Sequence, residues 1–186
     1  MISTSDFRNG AKLEIAGEPF VIVEFQHVKP GKGGAFVRTK LRSLLSDNVL
    51  DRTFRSGEKF EVPDLEEKEM QFLYVQDRDY HFMDTSSYEQ MRFDRDQVGA
   101  ARDFLKENTN ATVLIYNGRP ISVVPPTFVD LKVVKTDPGI RGDTASGGTK
   151  PAVVETGATV KVPLYLEEGQ VIRVDTRTSS YVERVK

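Results

Sequence analysis

Ala35-Phe36-Val37-Arg38-Thr39-Lys40-Leu41 sets Val37, Thr39 and Leu41 against Arg38 and Lys40 in alternation, the period-two pattern of a half-buried strand. A second strand-like run, Phe20 to Phe25, lies upstream. Between them is Pro30-Gly31-Lys32-Gly33-Gly34, in which glycine permits positive φ and Pro30 restricts the backbone, so the turn can project one long cation. From Gln26 to Ser46 the chain carries Lys29, Lys32, Arg38, Lys40 and Arg42 and no acidic residue. The hairpin therefore reads as a basic finger suited to a polyanionic partner. The plain alternative is a solvated hairpin whose like charges protect an edge.

The same short alternation recurs in Tyr80-His81-Phe82-Met83, Thr112-Val113-Leu114-Ile115-Tyr116 and Thr159-Val160-Lys161-Val162, separated by Gly, Asn and Asp turns. An all-β chain of small barrels follows. One helix is predicted, Asp96 to Leu105, with Asp96 as its cap and Val98, Ala101 and Leu105 on one face. A single helix among strands fits a five-stranded oligonucleotide-fold (OB-fold) barrel. A strand pattern stops at Val62-Pro63-Asp64, and Pro125-Pro126-Thr127 ends another. With 186 residues, these breaks predict three small domains, 1–64, 65–128 and 129–186.

Hydrophobic residues make up 38% and charged residues 29%, an ordinary soluble composition with no apolar run of the roughly 20 residues that span a membrane. The opening Met1 to Arg8 lacks the pattern of a secretory leader, so a cytoplasmic location is expected. The absence of cysteine rules out disulfides, thiolate nucleophiles and cysteine zinc sites. His27 and His81 are the two histidines, far apart and without metal-ligand spacing, so packing or surface roles are expected for both. Nothing calls for a cofactor. A net charge of −2 argues against wholesale coating of nucleic acid. Residues 65–129 hold 11 acidic and 7 basic side chains, so the acidity lies in the middle.

The Gly-Lys pair does not make a phosphate loop. That motif needs glycine five residues before it and a hydroxyl after, where this chain has Gln26 and Gly33. A second glycine-rich stretch, Asp137 to Lys150, lies between the strand patterns Val129–Lys135 and Pro151–Val154. Loops of about 12 to 15 residues without regular structure tend to be functional or disordered. Its exposed amides, its hydroxyls and the cations Arg141 and Lys150 could bond bases, ribose or phosphate. The alternative is a mobile connection.

With these residues assembled, the chain resembles bacterial elongation factor P from end to end. The resemblance rests on Met1-Ile2-Ser3 with Asp6-Phe7-Arg8-Asn9-Gly10, on His27 to Val37, and on Arg52-Thr53-Phe54 with Gly57-Glu58-Lys59. It continues through Gly142-Asp143-Thr144, Lys150-Pro151-Ala152, Gly157, Val160, Val162-Pro163, Leu166 and Gly169 to Val174-Asp175-Thr176-Arg177, Tyr181-Val182 and Arg184-Val185. It implies an L-shaped, tRNA-like protein with a KOW-like N-terminal barrel (residues 1–64) and two OB-fold domains (65–128 and 129–186).

The resemblance also implies a translation factor, not an enzyme. Such a factor acts as a monomer that binds both ribosomal subunits beside peptidyl-tRNA, notably the prolyl species, and relieves stalls at consecutive prolines. Lys32, flanked by Pro30, Gly31, Gly33 and Gly34, would reach toward the peptidyl-transferase centre, extended by an adduct that a separate lysine-modifying enzyme attaches. Gly142, Asp143 and Thr144 would sit near the messenger RNA codon of the exit site, with Tyr181 and Arg184 facing the tRNA stem and small subunit. Lys29, Arg38, Lys40 and Arg42 are RNA-backbone contacts by reason of the basic finger itself. Two other classes fit the residues less well. A general single-strand binding module is disfavoured by the acidic middle and the lack of tryptophan. A Schiff-base enzyme using Lys32 needs a desolvated amine, and a glycine tip open to water offers none.

Overall fold

The computed structural model describes residues 1–139 and 148–186. Contacts divide these into two compact units, Met1–Glu66 with Ile115–Ser122, and Glu67–Leu114 with Val123–Lys186. Strand is the dominant element in both, as the alternation predicted.

The first unit contains β1 (Ile2–Ser3), β2 (Lys12–Ile15), β3 (Glu18–Val28), β4 (Phe36–Ser43), β5 (Val49–Arg55) and β6 (Lys59–Phe60). Its main sheet runs β2-β3-β4-β5, β1 pairs with β6, and a Glu14–Glu61 bridge ties β2 toward the shorter pair. Phe7, Leu13, Phe20, Ile22, Val37, Leu41, Phe54 and Phe60 form the core. Phe7 meets Phe54 edge-on at 6.1 Å, a favourable arrangement of ring quadrupoles. The pairing of β3 with β4 shifts between Ile22 and Glu24. Val23 is the extra residue, so the inward side of β3 changes from Phe20 and Ile22 to Phe25, which packs on the core. The same shift places Glu24 opposite Lys40. The phenol of Tyr116, in the segment that joins this unit from later in the chain, lies 3.0 Å from both Glu14 Oε2 and the Gly17 carbonyl.

Beyond these lie β7 (Leu65–Gln76), β8 (Asp79–Asp84), β9 (Gln90–Phe93), β10 (Asn110–Tyr116) and β11 (Arg119–Val124). They are followed by β12 (Phe128–Thr136), β13 (Thr149–Val154), β14 (Thr159–Pro163), β15 (Val171–Asp175) and β16 (Ser180–Val185). The two sheets are ordered β11-β10-β7-β8-β9 and β14-β13-β12-β15-β16. Renumbered from the first strand of each, the first reads 5-4-1-2-3 and the second reads the same when taken from its β16 edge, so the second and third sheets share one strand order without a visible sequence repeat. The last sheet wraps a core of Leu131, Val133, Ala152, Val154, Val162, Leu166, Ile172 and Val174, all fully buried.

The predicted helix is shorter than the pattern suggested. Helix α1 covers Arg95–Val98, and a 3-10 turn continues over Gly99–Asp103. The cap is Asp94, not Asp96: its carboxylate accepts from Gln97 N–H at 2.8 Å and its own N–H donates to Gln97 Oε1 at 2.8 Å, a reciprocal capping box. Gly99 at φ +58° breaks the helix. Val98, Ala101 and Leu105 are nevertheless all buried; the three-residue period of the 3-10 turn carries burial from Val98 through Ala101 to Phe104, and Leu105 lies just beyond its end.

Candidate functional site

The finger is the hairpin of β3 and β4. Its ladder runs through Gln26↔Arg38, His27↔Val37 and Val28↔Phe36, after which residues 29–35 form the tip. Lys29, Pro30, Gly31, Lys32, Gly33 and Gly34 are all exposed. Gly33 takes φ +125°, a conformation that side chains with a Cβ rarely adopt. A Cβ there would touch only Pro30 Cγ, at 3.7 Å, so conformation and not space demands glycine. His27 stands edge-on to Phe25 at 5.6 Å, at the point where the ladder gives way to the tip.

Along β4 the burial alternates as the sequence predicted, with Val37, Thr39, Leu41 and Ser43 inward and Arg38, Lys40 and Arg42 outward. The fold then adds what the local sequence lacks. Lys40 Nζ lies 3.8 Å from Glu24 and faces Asp51 across the ladder, and Arg42 Nε lies 3.9 Å from Asp47. Arg38 instead stands between Gln26 and Thr53, with its guanidinium 5.7 Å from the Phe36 ring centroid, a cation–π contact. Arg55 faces Phe36 from β5 and joins the tip end of the ridge. Only its strand position marks it, at the far end of β5, two strands along the chain from Lys32 and in no local motif, so the sequence reading missed it. The acid-free stretch thus becomes a polarised ridge, neutralised far from the tip and cationic near it.

The second glycine-rich stretch divides. Gly142, Asp143 and Thr144 lie outside the described residues. Lys150 does not offer its cation to a partner, contrary to expectation: it is buried in β13 and its Nζ donates to the Asp137 carbonyl at 2.6 Å, a bond that satisfies an otherwise costly buried ammonium. In β16, Tyr181 is half-buried with its hydroxyl 3.1 Å from that of Tyr165, and Arg184 is exposed. Burial first, then the bond to Tyr165, pushes the Tyr181 phenol up to about 12, so it stays neutral. Arg173, unlike Lys150, is partly exposed, and carboxylates hold its guanidinium. It grips Asp130 through two bonds of 2.8 and 3.1 Å and Glu183 through a third of 2.9 Å. His81 stacks on Tyr74 at 4.5 Å.

By fold the chain is similar to a solved eukaryotic translation initiation factor 5A from Methanococcus jannaschii, with a TM-score of 0.57 and 21% identity, covering 67% of this chain and 91% of that one. A second similar structure is a translation initiation factor eif-5a family protein from Naegleria fowleri, at TM-score 0.51 and 16% identity, covering 66% and 94%. These place the chain in a class of small-barrel proteins. Three family models match in order: the elongation factor P KOW-like domain over residues 3–60, its OB domain over 65–123, and its C-terminal domain over 129–184. The curated elongation factor P of Natranaerobius thermophilus is 58% identical over all of this chain and 99% of its own length. That of Maridesulfovibrio salexigens is 55% identical over the whole of both chains. The chain belongs to the elongation factor P family, as the sequence resemblance indicated, and is a translation elongation factor of KOW-like and OB construction.

Proposed function

We propose that this factor binds the ribosome beside peptidyl-tRNA and stimulates peptide-bond formation where consecutive prolines stall it, with Lys32 reaching toward the peptidyl-transferase centre. The observation that carries the reading is the exposed lysine on a glycine tip at the end of a long antiparallel ladder, with the uncompensated cations gathered at that end. Such a tip can enter a narrow RNA-lined cavity and hold the acceptor end of a tRNA. Orientation is the physical contribution: removing unproductive conformers lowers the entropic part of the barrier, and about 1.4 kcal/mol is a factor of ten in rate. The ribosome supplies the bond-forming chemistry.

In this reading Lys32 carries an amine extension from a separate modifying enzyme, and Lys29, Arg38, Lys40 and Arg42 contact RNA backbone, the last two more weakly because Glu24 and Asp47 stand beside them. Residues 1–64, 65–128 and 129–186 act as three domains of a monomer. Gly142, Asp143 and Thr144 meet the messenger RNA, and Tyr181 and Arg184 meet the tRNA stem and small subunit. The test is reconstituted translation of a Pro-Pro-Pro template and a proline-free template, with protein from its native source or the Lys32→Ala variant. Selective rescue by the first and not the second supports the proposal. Equal rescue by both removes Lys32 from it, and no rescue by protein whose adduct is confirmed by mass removes the function.

A further inference from the structure

The outward face of the middle sheet carries a group of side chains that the proposed function does not use. The register pairs Tyr74 with His81 and His81 with Arg92 in one row, and Gln71 with Met83 and Met83 with Gln90 in the next. Phe72, Phe82 and Phe93 point the other way and are buried. A shift in pairing between Phe72 and Tyr74 makes Leu73 the extra residue and turns Tyr74 onto the His81 side. The two rings lie nearly parallel, at 4.5 Å and 20°, and Tyr74 remains 41% exposed. Arg92 is held at the rim by Asp79, 3.3 Å away. Neither row contains a carboxylate, although residues 65–129 as a whole hold 11 acidic side chains against 7 basic.

We propose that this face, with Tyr74, His81 and Arg92 at its centre, is a stacking platform for an unpaired RNA base. The exposed Tyr74 ring of the stacked pair can take a base of any identity, the Arg92 guanidinium can stack on that base or reach its edge, and Gln90 adds an amide from the neighbouring row, whereas the Gln71 amide already donates to the Asn108 carbonyl at 3.4 Å. A protein partner is less suited, because the face carries one aromatic pair and one methionine, with no contiguous apolar patch for an interface core. The acidic surroundings disfavour the phosphate backbone, so the contact is with a base and carries little of the salt dependence of phosphate binding. This inference stands apart from the finger and from rescue at prolines.

The experiment is titration of the full chain, carrying Arg38→Ala to weaken finger binding, with single-stranded hexa-adenylate and hexa-uridylate and with an RNA duplex. It follows the aromatic resonances of Tyr74 and His81 and the Arg92 side chain. The expected result is saturable shifts at these three residues with the single strands and not the duplex. Tyr74→Ala should weaken that binding at least about fivefold, the low end of one stacked base, while Tyr74→Phe stays within twofold. The salt slope should fall below the roughly 0.7 of one phosphate on a single strand. No saturable shift at millimolar strand, equal response to duplex, or indifference to Tyr74→Ala each overturns the proposal.

Discussion

Gly33→Ala tests whether the finger works by being held in one shape. Gly33 sits at φ +125°, and forcing a residue with a Cβ into such a region costs about 1 to 3 kcal/mol. Contact adds little, since the new methyl group would meet Pro30 Cγ at 3.7 Å, an ordinary distance. The tip therefore relaxes to other conformers, and the projecting one is depleted by roughly 5- to 160-fold, with apparent affinity falling in proportion. Rescue of a Pro-Pro-Pro template should drop by that factor at limiting protein and recover as protein is raised. The thermal midpoint should not move, because residues 29–35 lie outside the ladder and the core. Gly31→Ala and Gly34→Ala are the internal controls. Neither needs a positive φ and neither Cβ would meet anything within 4 Å, so both should stay within about twofold. Wild-type rescue by Gly33→Ala, or equal loss in all three, would refute the reasoning.

Thr39→Val should stabilise the protein by about 1 kcal/mol, seen as a higher urea midpoint at unchanged slope. The Thr39 hydroxyl is buried without a hydrogen-bond partner, and its desolvation goes unrewarded; a loss of stability would show a partner exists. Arg38→Ala should weaken ribosome binding and lower its salt slope by about one, while Arg42→Ala, already beside Asp47, should change the slope by much less; filter binding across a salt series distinguishes them. The Asp84 carboxyl is held below the usual aspartate value chiefly by the N–H groups of Ser86 and Ser87, with Lys68 adding to them. A depressed folded value stabilises the fold above the unfolded value near 3.8, and that stability is lost as pH falls through the folded value. The stability gap between wild type and Asp84→Asn should therefore narrow as urea melts are taken from pH 5 downward, and a constant gap would contradict it.

The finger hairpin was legible because β4 keeps a strict period, its turn residues have specific backbone requirements, and its two strands are neighbours in sequence. Burial in β4 follows the written alternation residue by residue. What was not legible depends on cross-strand register. The extra residues Val23 and Leu73 invert the period within β3 and β7, so Phe25 turns inward and Tyr74 outward against simple counting. The charge on Lys40 and Arg42 looked free because Glu24, Asp47 and Asp51 lie outside the acid-free stretch from Gln26 to Ser46, and the fold brings them alongside. Lys150 looked like a loop cation but belongs to a strand, where only a carbonyl acceptor makes its burial tolerable. The helix was over-extended through Gly99, whose positive φ ends it; the glycine was visible, but the apolar spacing continues unbroken through the 3-10 turn and hid the break.

The polarised ridge has a consequence for how the finger finds its partner. Along an extended strand each residue advances about 3.3 Å, so Arg42 stands roughly 20 Å from the point at Phe36 where the tip begins, more than two screening lengths at physiological salt. Its charge could not steer the tip even if it were unpaired. Arg38 is only about 7 Å from the same point, inside one screening length. Pairing Arg42 with Asp47 and Lys40 with Glu24 therefore gives up nothing at the tip, while easing the repulsion among three cations in one row. Lys29, Lys32 and Arg38, with Arg55 beside them, act as the finger's electrostatic unit. A polyanionic surface is then met first by the end of the hairpin, with Lys32 leading.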